Sequence, residues 1–78
     1  MTLTYKTSDI YLASTLLTLG YTLETVDKSE RKAMFVFGDT EGLRNDVKEY
    51  NARRIALVPQ DLFYSMRTLK EQLYNNEN

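Results

Sequence analysis

The chain has 78 residues and a formal net charge of −1, with neither cysteine nor histidine. The missing cysteine excludes a disulfide framework and thiolate chemistry. Together the two absences remove the usual zinc ligands and the side chain that most often moves protons near neutral pH. A chain of this length is expected to form one domain over residues 1–78, with a thin stability margin, because it buries only roughly 60–65% of its unfolded surface.

No basic n-region precedes the first apolar run, and Lys6 and Asp9 interrupt the start, so no secretory signal is read. The longest apolar stretches, residues 10–19 and 34–37, are too short to span a bilayer. A cytoplasmic protein without a membrane role is expected.

Residues 2–5 alternate polar and apolar, the pattern of a short edge strand or ordered arm. Thr7, Ser8 and Asp9 then read as a helix start, with a hydroxyl for the free N–H groups and a carboxylate near the positive end of the dipole. This helix is expected over residues 8–19. Ile10, Ala13 and Leu17 form one apolar row and Leu12, Leu16 and Leu19 another, so it belongs in the core. Gly20 ends it, because glycine takes the left-handed conformation without strain. Tyr21 can fold back on Leu16 or Leu17. Residues 21–27 and 31–37 are two β-type runs joined by the polar turn Lys28-Ser29-Glu30. In the second run Ala33, Phe35 and Phe37 share one face and Met34 and Val36 the other, as expected of an interior strand.

Gly38-Asp39-Thr40 breaks that strand, and Asp39 or Thr40 caps a helix over residues 41–51. Leu43, Val47 and Tyr50 form its buried stripe. Residues 53–57 read as a short connector open to a strand assignment. Pro59 suits the first position of a last helix, with Val58 as a weak cap and Leu57 and Leu62 at staple spacing. Leu62, Met66, Leu69 and Leu73 make its core row, widened by Phe63. It is expected to reach Tyr74, ahead of a frayed polar tail over residues 75–78. The order β-α-β-β-α-(β)-α describes an α+β fold: a small antiparallel sheet with three helices on one face.

Little here supports chemistry. Asp39 and Glu41 flank a helix start, where capping and dipole duty account for both. Glu24, Asp27 and Glu30 surround the hairpin turn among Lys28 and Arg31, too exposed for strongly shifted pKa values. No metal-ligand spacing, nucleophile elbow or phosphate-cradling glycine loop is present. No catalytic residue, metal or cofactor is therefore assigned.

The basic residues and tyrosines offer binding candidates. Arg44 and Lys48 lie one turn apart on the solvent side of the second helix, and Arg53 and Arg54 follow it. These four could grip phosphates or an acidic protein surface. The bland alternative pairs Arg44 and Lys48 with Glu41 and Glu49. Arg53 and Arg54, adjacent in a loop, have fewer local partners. Six tyrosines are many for this length. Tyr21 and Tyr50 suit the edge of the core. Tyr11 and Tyr64 fall off the apolar rows, which makes them candidate stacking or interface anchors.

The run Tyr5-Lys6-Thr7-Ser8-Asp9-Ile10-Tyr11-Leu12-Ala13, with Leu16-Leu17 and Gly20-Tyr21, continues in Phe35-Val36-Phe37, Asp39-Thr40, Tyr50-Asn51, Val58-Pro59 and Leu69-Lys70. This pattern resembles a family of small domains of unknown function found in bacteria and their phages. The resemblance covers nearly the whole chain. It implies a short α/β domain and a mobile-element setting, and it carries no activity and no catalytic residue.

The expected function is that of a non-enzymatic protein-interaction module, an adaptor or inhibitor that docks on a larger host or phage protein. Tyr11, Tyr64 and the Arg53-Arg54 pair are its expected anchors. One alternative is a nucleic-acid accessory protein using Arg44, Lys48, Arg53 and Arg54. Another is a self-associating structural protein, a homodimer formed through the hairpin edge or the last helix.

Overall fold

The computed structural model describes residues 3–74. Their order is β1 (Thr4–Thr7), α1 (Ile10–Thr18), β2 (Leu23–Asp27), β3 (Met34–Gly38), α2 (Glu41–Asn51) and α3 (Pro59–Tyr74). The expected tail at 75–78 and Thr2 of the expected first strand lie outside the described residues. The strands form one antiparallel sheet in the order β1-β3-β2, so the expected α+β architecture is present.

β3 is central because it is apolar on both faces. Phe35 and Phe37 join Leu12, Ala13, Leu16, Leu43 and Leu69 in the core between sheet and helices. Val36 points the other way, opposite Lys6 and Thr25, and is buried although the hollow on that face is lined by strand and turn residues alone. Its neighbours' side-chain stems supply the cover.

β1 begins two residues later than the alternation implied. Pairing Tyr5 with Phe37 turns the tyrosine ring toward the core, and the Leu3 carbonyl accepts from the Asp39 N–H at 3.0 Å. β2 starts at Leu23 rather than Tyr21, and Glu24 bulges between Leu23 and Thr25. The hairpin loop runs over residues 28–33, longer than the expected turn. Asp27 Oδ1 accepts from the Ser29 N–H at 2.9 Å, which turns the chain away from the ladder early.

Asp9 is the cap of α1, not the Thr7 or Ser8 hydroxyl. Its Oδ1 accepts from the N–H groups of Tyr11 and Leu12, at 2.9 and 3.3 Å. Thr7 Oγ1 instead accepts from the Asp9 N–H. Residues 12–16 are all buried, which marks α1 as the central helix. Two of these are polar, and each is satisfied within the helix: Ser14 Oγ donates to the Ile10 carbonyl and Thr15 Oγ1 to the Tyr11 carbonyl.

Both neighbours run antiparallel to α1. At one end the Tyr21 hydroxyl donates to Asp46 Oδ2 at 2.6 Å, while at the other Tyr50 of α2 lies beside Asp9 and Tyr11. On the α3 side, Thr18 Oγ1 lies 2.8 Å from both the Ser14 carbonyl and Ser65 Oγ. With one proton, it donates to the Ser14 carbonyl and accepts from the Ser65 hydroxyl. Small residues at this seam let the two helices approach closely.

α1 and α2 end alike. After α1, the N–H groups of Gly20 and Tyr21 bond the carbonyls of Leu17 and Leu16. After α2, those of Arg53 and Arg54 bond Tyr50 and Glu49. This is the Schellman arrangement, whose first residue past the cap is left-handed. That residue is Gly20 at φ 105° in the first case and Arg53 at φ 63° in the second. Residues 53–57 therefore leave a helix C-terminus and form no strand, which corrects the bracketed β element.

α3 buries Ser65 and Leu69 and half-buries Leu62, Met66 and Leu73. Phe63 does not widen the core row. It is 63% exposed, because it sits about 90° around the helix from that row.

Candidate functional site

The four basic residues expected to form one patch are differently engaged. Arg44 clamps Asp39, with Nε 2.9 and 3.1 Å from the two carboxylate oxygens and Nη2 2.6 Å from Oδ2. Asp39 is thus not the helix cap. Thr40 takes that role, accepting from the Leu43 N–H at 3.1 Å. The Arg44 hydrogen bonds hold the Asp39 carboxyl below the usual carboxylate range. Arg54 makes the same fork on Glu49, at 2.9 and 3.1 Å, and lowers it likewise. The expected Arg44–Glu41 and Lys48–Glu49 pairs are not formed, and Arg54 is not short of a partner. Lys48 and Arg53 make no ion pair among the described residues. Lys48 and Arg44 border a shallow groove of about 500 Å³ between α2 and Tyr5 of β1.

Tyr11 and Tyr64 are both exposed, at 62% and 69%. The fold does not bring them together. Tyr11 stands at the start of α1, beside Tyr50 and so near the Arg53–Arg54 turn. Tyr64 stands on α3 next to Ser65, which faces Thr18 at the far end of α1, a rise of about 10 Å away. Burial, with Asp9 and Tyr11 nearby, pushes the Tyr50 phenol up from its usual range. Tyr21 and Tyr50 are core-edge residues, as expected.

Two surfaces escaped the sequence reading. The first is the Phe63 flank of α3, one position before the expected anchor Tyr64, where Phe63 is exposed and shares a hollow with Met66, Arg67 and Lys70. The helical angle of Phe63 was the available signal. The second is a groove of about 540 Å³ where the start of α1, the hairpin loop and the end of α3 meet. Ile10, Leu73 and the exposed ring of Tyr74 contribute apolar surface to it, and Arg31, Lys32 and Lys70 contribute charge. Only the adjacency of Arg31 and Lys32 was visible in the sequence; the approach of Lys70 is a product of the fold.

Among the described residues there is no cluster of three or more metal-ligating side chains, and no helix is long and apolar enough to cross a membrane. No curated protein and no solved structure matches the chain. The model of one family, DUF5659, a domain of unknown function, matches residues 2–75, and the chain, with its three helices against a three-stranded antiparallel sheet, belongs to that family.

Proposed function

We propose that the protein is a non-enzymatic protein-interaction module, docking on a larger host or phage protein through the outward face of α3. The observation that carries this reading is the pair Phe63 and Tyr64, adjacent large aromatics that are 63% and 69% exposed on a helix whose opposite face fills the core. Val58, 55% exposed, lies just before the same helix. Aromatic side chains with a polar neighbourhood are the residues that most often anchor protein interfaces. Arg67 and Lys70 supply that neighbourhood.

The nucleic-acid reading draws less support. Two of its four cations, Arg44 and Arg54, already share their charge with Asp39 and Glu49, and the chain as a whole is slightly acidic. Affinity capture with the purified chain tests the two together. The α3 reading expects a partner retained by the wild type and by Tyr11→Ala, and lost with Phe63→Ala/Tyr64→Ala. Retention by that double variant would refute the surface. Binding to oligonucleotides that falls steeply with salt would favour the alternative.

A further inference from the structure

The groove between the start of α1, the hairpin loop and the end of α3 has a composition that names its occupant. Its apolar surface comes from Ile10 of α1, Ala33 of the hairpin loop, and Leu73 and the exposed ring of Tyr74 on α3, over the buried Phe35 of β3. Arg31, Lys32 and Lys70 line it too, and among the described residues no carboxylate does. Among the described residues none of the three cations has an ion-pair partner, whereas the exposed arginines on α2 and its C-terminal turn, Arg44 and Arg54, are neutralised by a carboxylate five residues away. Glu30 and Glu71 neighbour Arg31 and Lys70 in the chain but do not face into the groove. Lys32 alone has acids on its other side, where it borders a second hollow with Asp27 and Glu30. Ser8 and Tyr74 add two hydroxyls.

We infer that this groove receives an acidic peptide segment of a partner protein, with one apolar side chain against Ile10, Leu73 and Tyr74 and flanking carboxylates on Arg31, Lys32 and Lys70. The inference rests on the interaction-module reading and specifies the partner's chemistry. Three cations with no carboxylate among the described lining residues attract anions and raise the encounter rate. Two observations favour a peptide over a nucleic acid. The lining sets the aliphatic side chains of Ile10 and Leu73 beside a single exposed ring, Tyr74, which seats one side chain but not a run of stacked bases, and the chain as a whole carries a charge of −1. The groove's volume falls within the range that holds a small ligand or a few side chains. Lys70 also borders the hollow beside Phe63, so the segment and the α3 face form one continuous docking surface.

Fluorescence anisotropy with the full chain tests this. The probes are short labelled peptides of Asp and Glu around a central Leu, Ile, Phe, Tyr or Trp, their Asn and Gln counterparts, and an oligothymidylate. At least one acidic peptide should bind more tightly than its neutral counterpart. Arg31→Glu/Lys70→Glu should weaken it by about tenfold or more, with the loss growing at low salt. Lys6→Gln, which removes a cation on the opposite face of the sheet, should leave it unchanged. Circular dichroism of the charge-reversed variant checks that it folds, and Arg31→Gln/Lys70→Gln gives a milder second measurement. Equal binding of acidic and neutral peptides, or affinity that survives charge reversal, overturns the inference. So does an oligothymidylate that binds better than every peptide and is lost with the same substitutions. If these peptides fail while capture of a partner still depends on Phe63 and Tyr64, the groove assignment falls and the α3 reading stands.

Discussion

Replacing Arg53 with glycine should make the protein more stable. The two helices that end in the same pair of backbone hydrogen bonds differ in the residue that turns left-handed: Gly20 after α1 and Arg53, at φ 63°, after α2. Holding an L-residue in that region costs roughly 1–2 kcal/mol. Glycine removes this cost but loses about 0.5–1 kcal/mol through the greater freedom of its unfolded chain. The balance favours Arg53→Gly by about 0.5–1 kcal/mol. For a domain of this size that raises Tm by about 2–8 °C. The arginine side chain offers no counterweight, since it makes no ion pair. Arg53→Ala, which keeps the β-carbon, should show no such gain. Gly20→Ala should move the other way by at least about 1 kcal/mol. Nothing lies within 4 Å of the added methyl, so that loss is entirely one of backbone conformation at φ 105°. Urea and thermal unfolding of the four proteins measure all of this. Arg53→Gly no more stable than Arg53→Ala would refute the strain argument.

Acid should destabilise the fold through three carboxyls held low: Asp27 by the Ser29 hydroxyl and N–H, Asp39 by Arg44, and Glu49 by Arg54. Because their folded pKa values lie below the unfolded ones, the unfolded chain takes up protons first. Their contribution is complete above the ordinary carboxylate range and is lost as pH falls below about 4. Urea midpoints should trace that fall, and Asp39→Asn/Glu49→Gln should flatten it. Tyr21→Phe removes the hydrogen bond to Asp46 and should cost about 0.5–1.5 kcal/mol near neutrality. That bond, with burial, raises the Tyr21 phenol, so the contribution is present below about pH 10 and lost above it, and the variant's alkaline limb should be shallower in the same assay. Ser65→Leu, at the closely packed α1–α3 seam, should cost about 1–3 kcal/mol through overpacking. Ser65→Ala should cost less, since Thr18 keeps the Ser14 carbonyl, and unfolding midpoints should rank the two.

The fold was legible where local chemistry and burial agreed. The Gly38-Asp39-Thr40 break placed α2 to the residue, and Phe35 and Phe37 marked the inward face of the central strand. Boundaries slipped where a carboxylate intervened: Asp9 displaced the expected hydroxyl cap, and Asp27 lengthened the hairpin loop. The bracketed strand failed because the chain after α2 closes a Schellman turn that its arginine gave no sign of. The candidate surface was less legible. Tyr11 and Tyr64 could be placed outside by their helical angles, but not at opposite ends of α1. The basic patch was read as a run of charges, and charge runs do not reveal that Asp39 and Glu49 reach them five residues along. Lys70 meets Arg31 and Lys32 only once α3 has folded back along α1.

The position of β3 between β2 and β1 implies an order of assembly. β2 reaches β3 through one short loop, whereas β1 must wait until α1 and β2 have been laid down between them. Loop closure penalises that distant pairing, so β1 should be the last strand to join and the first to leave. Its amides, from Thr4 to Thr7, should then trade hydrogen for deuterium ahead of those in β3. Each departure bares one side of a strand that is greasy front and back, and the nearest replacement for the missing ribbon is the β1 of another molecule.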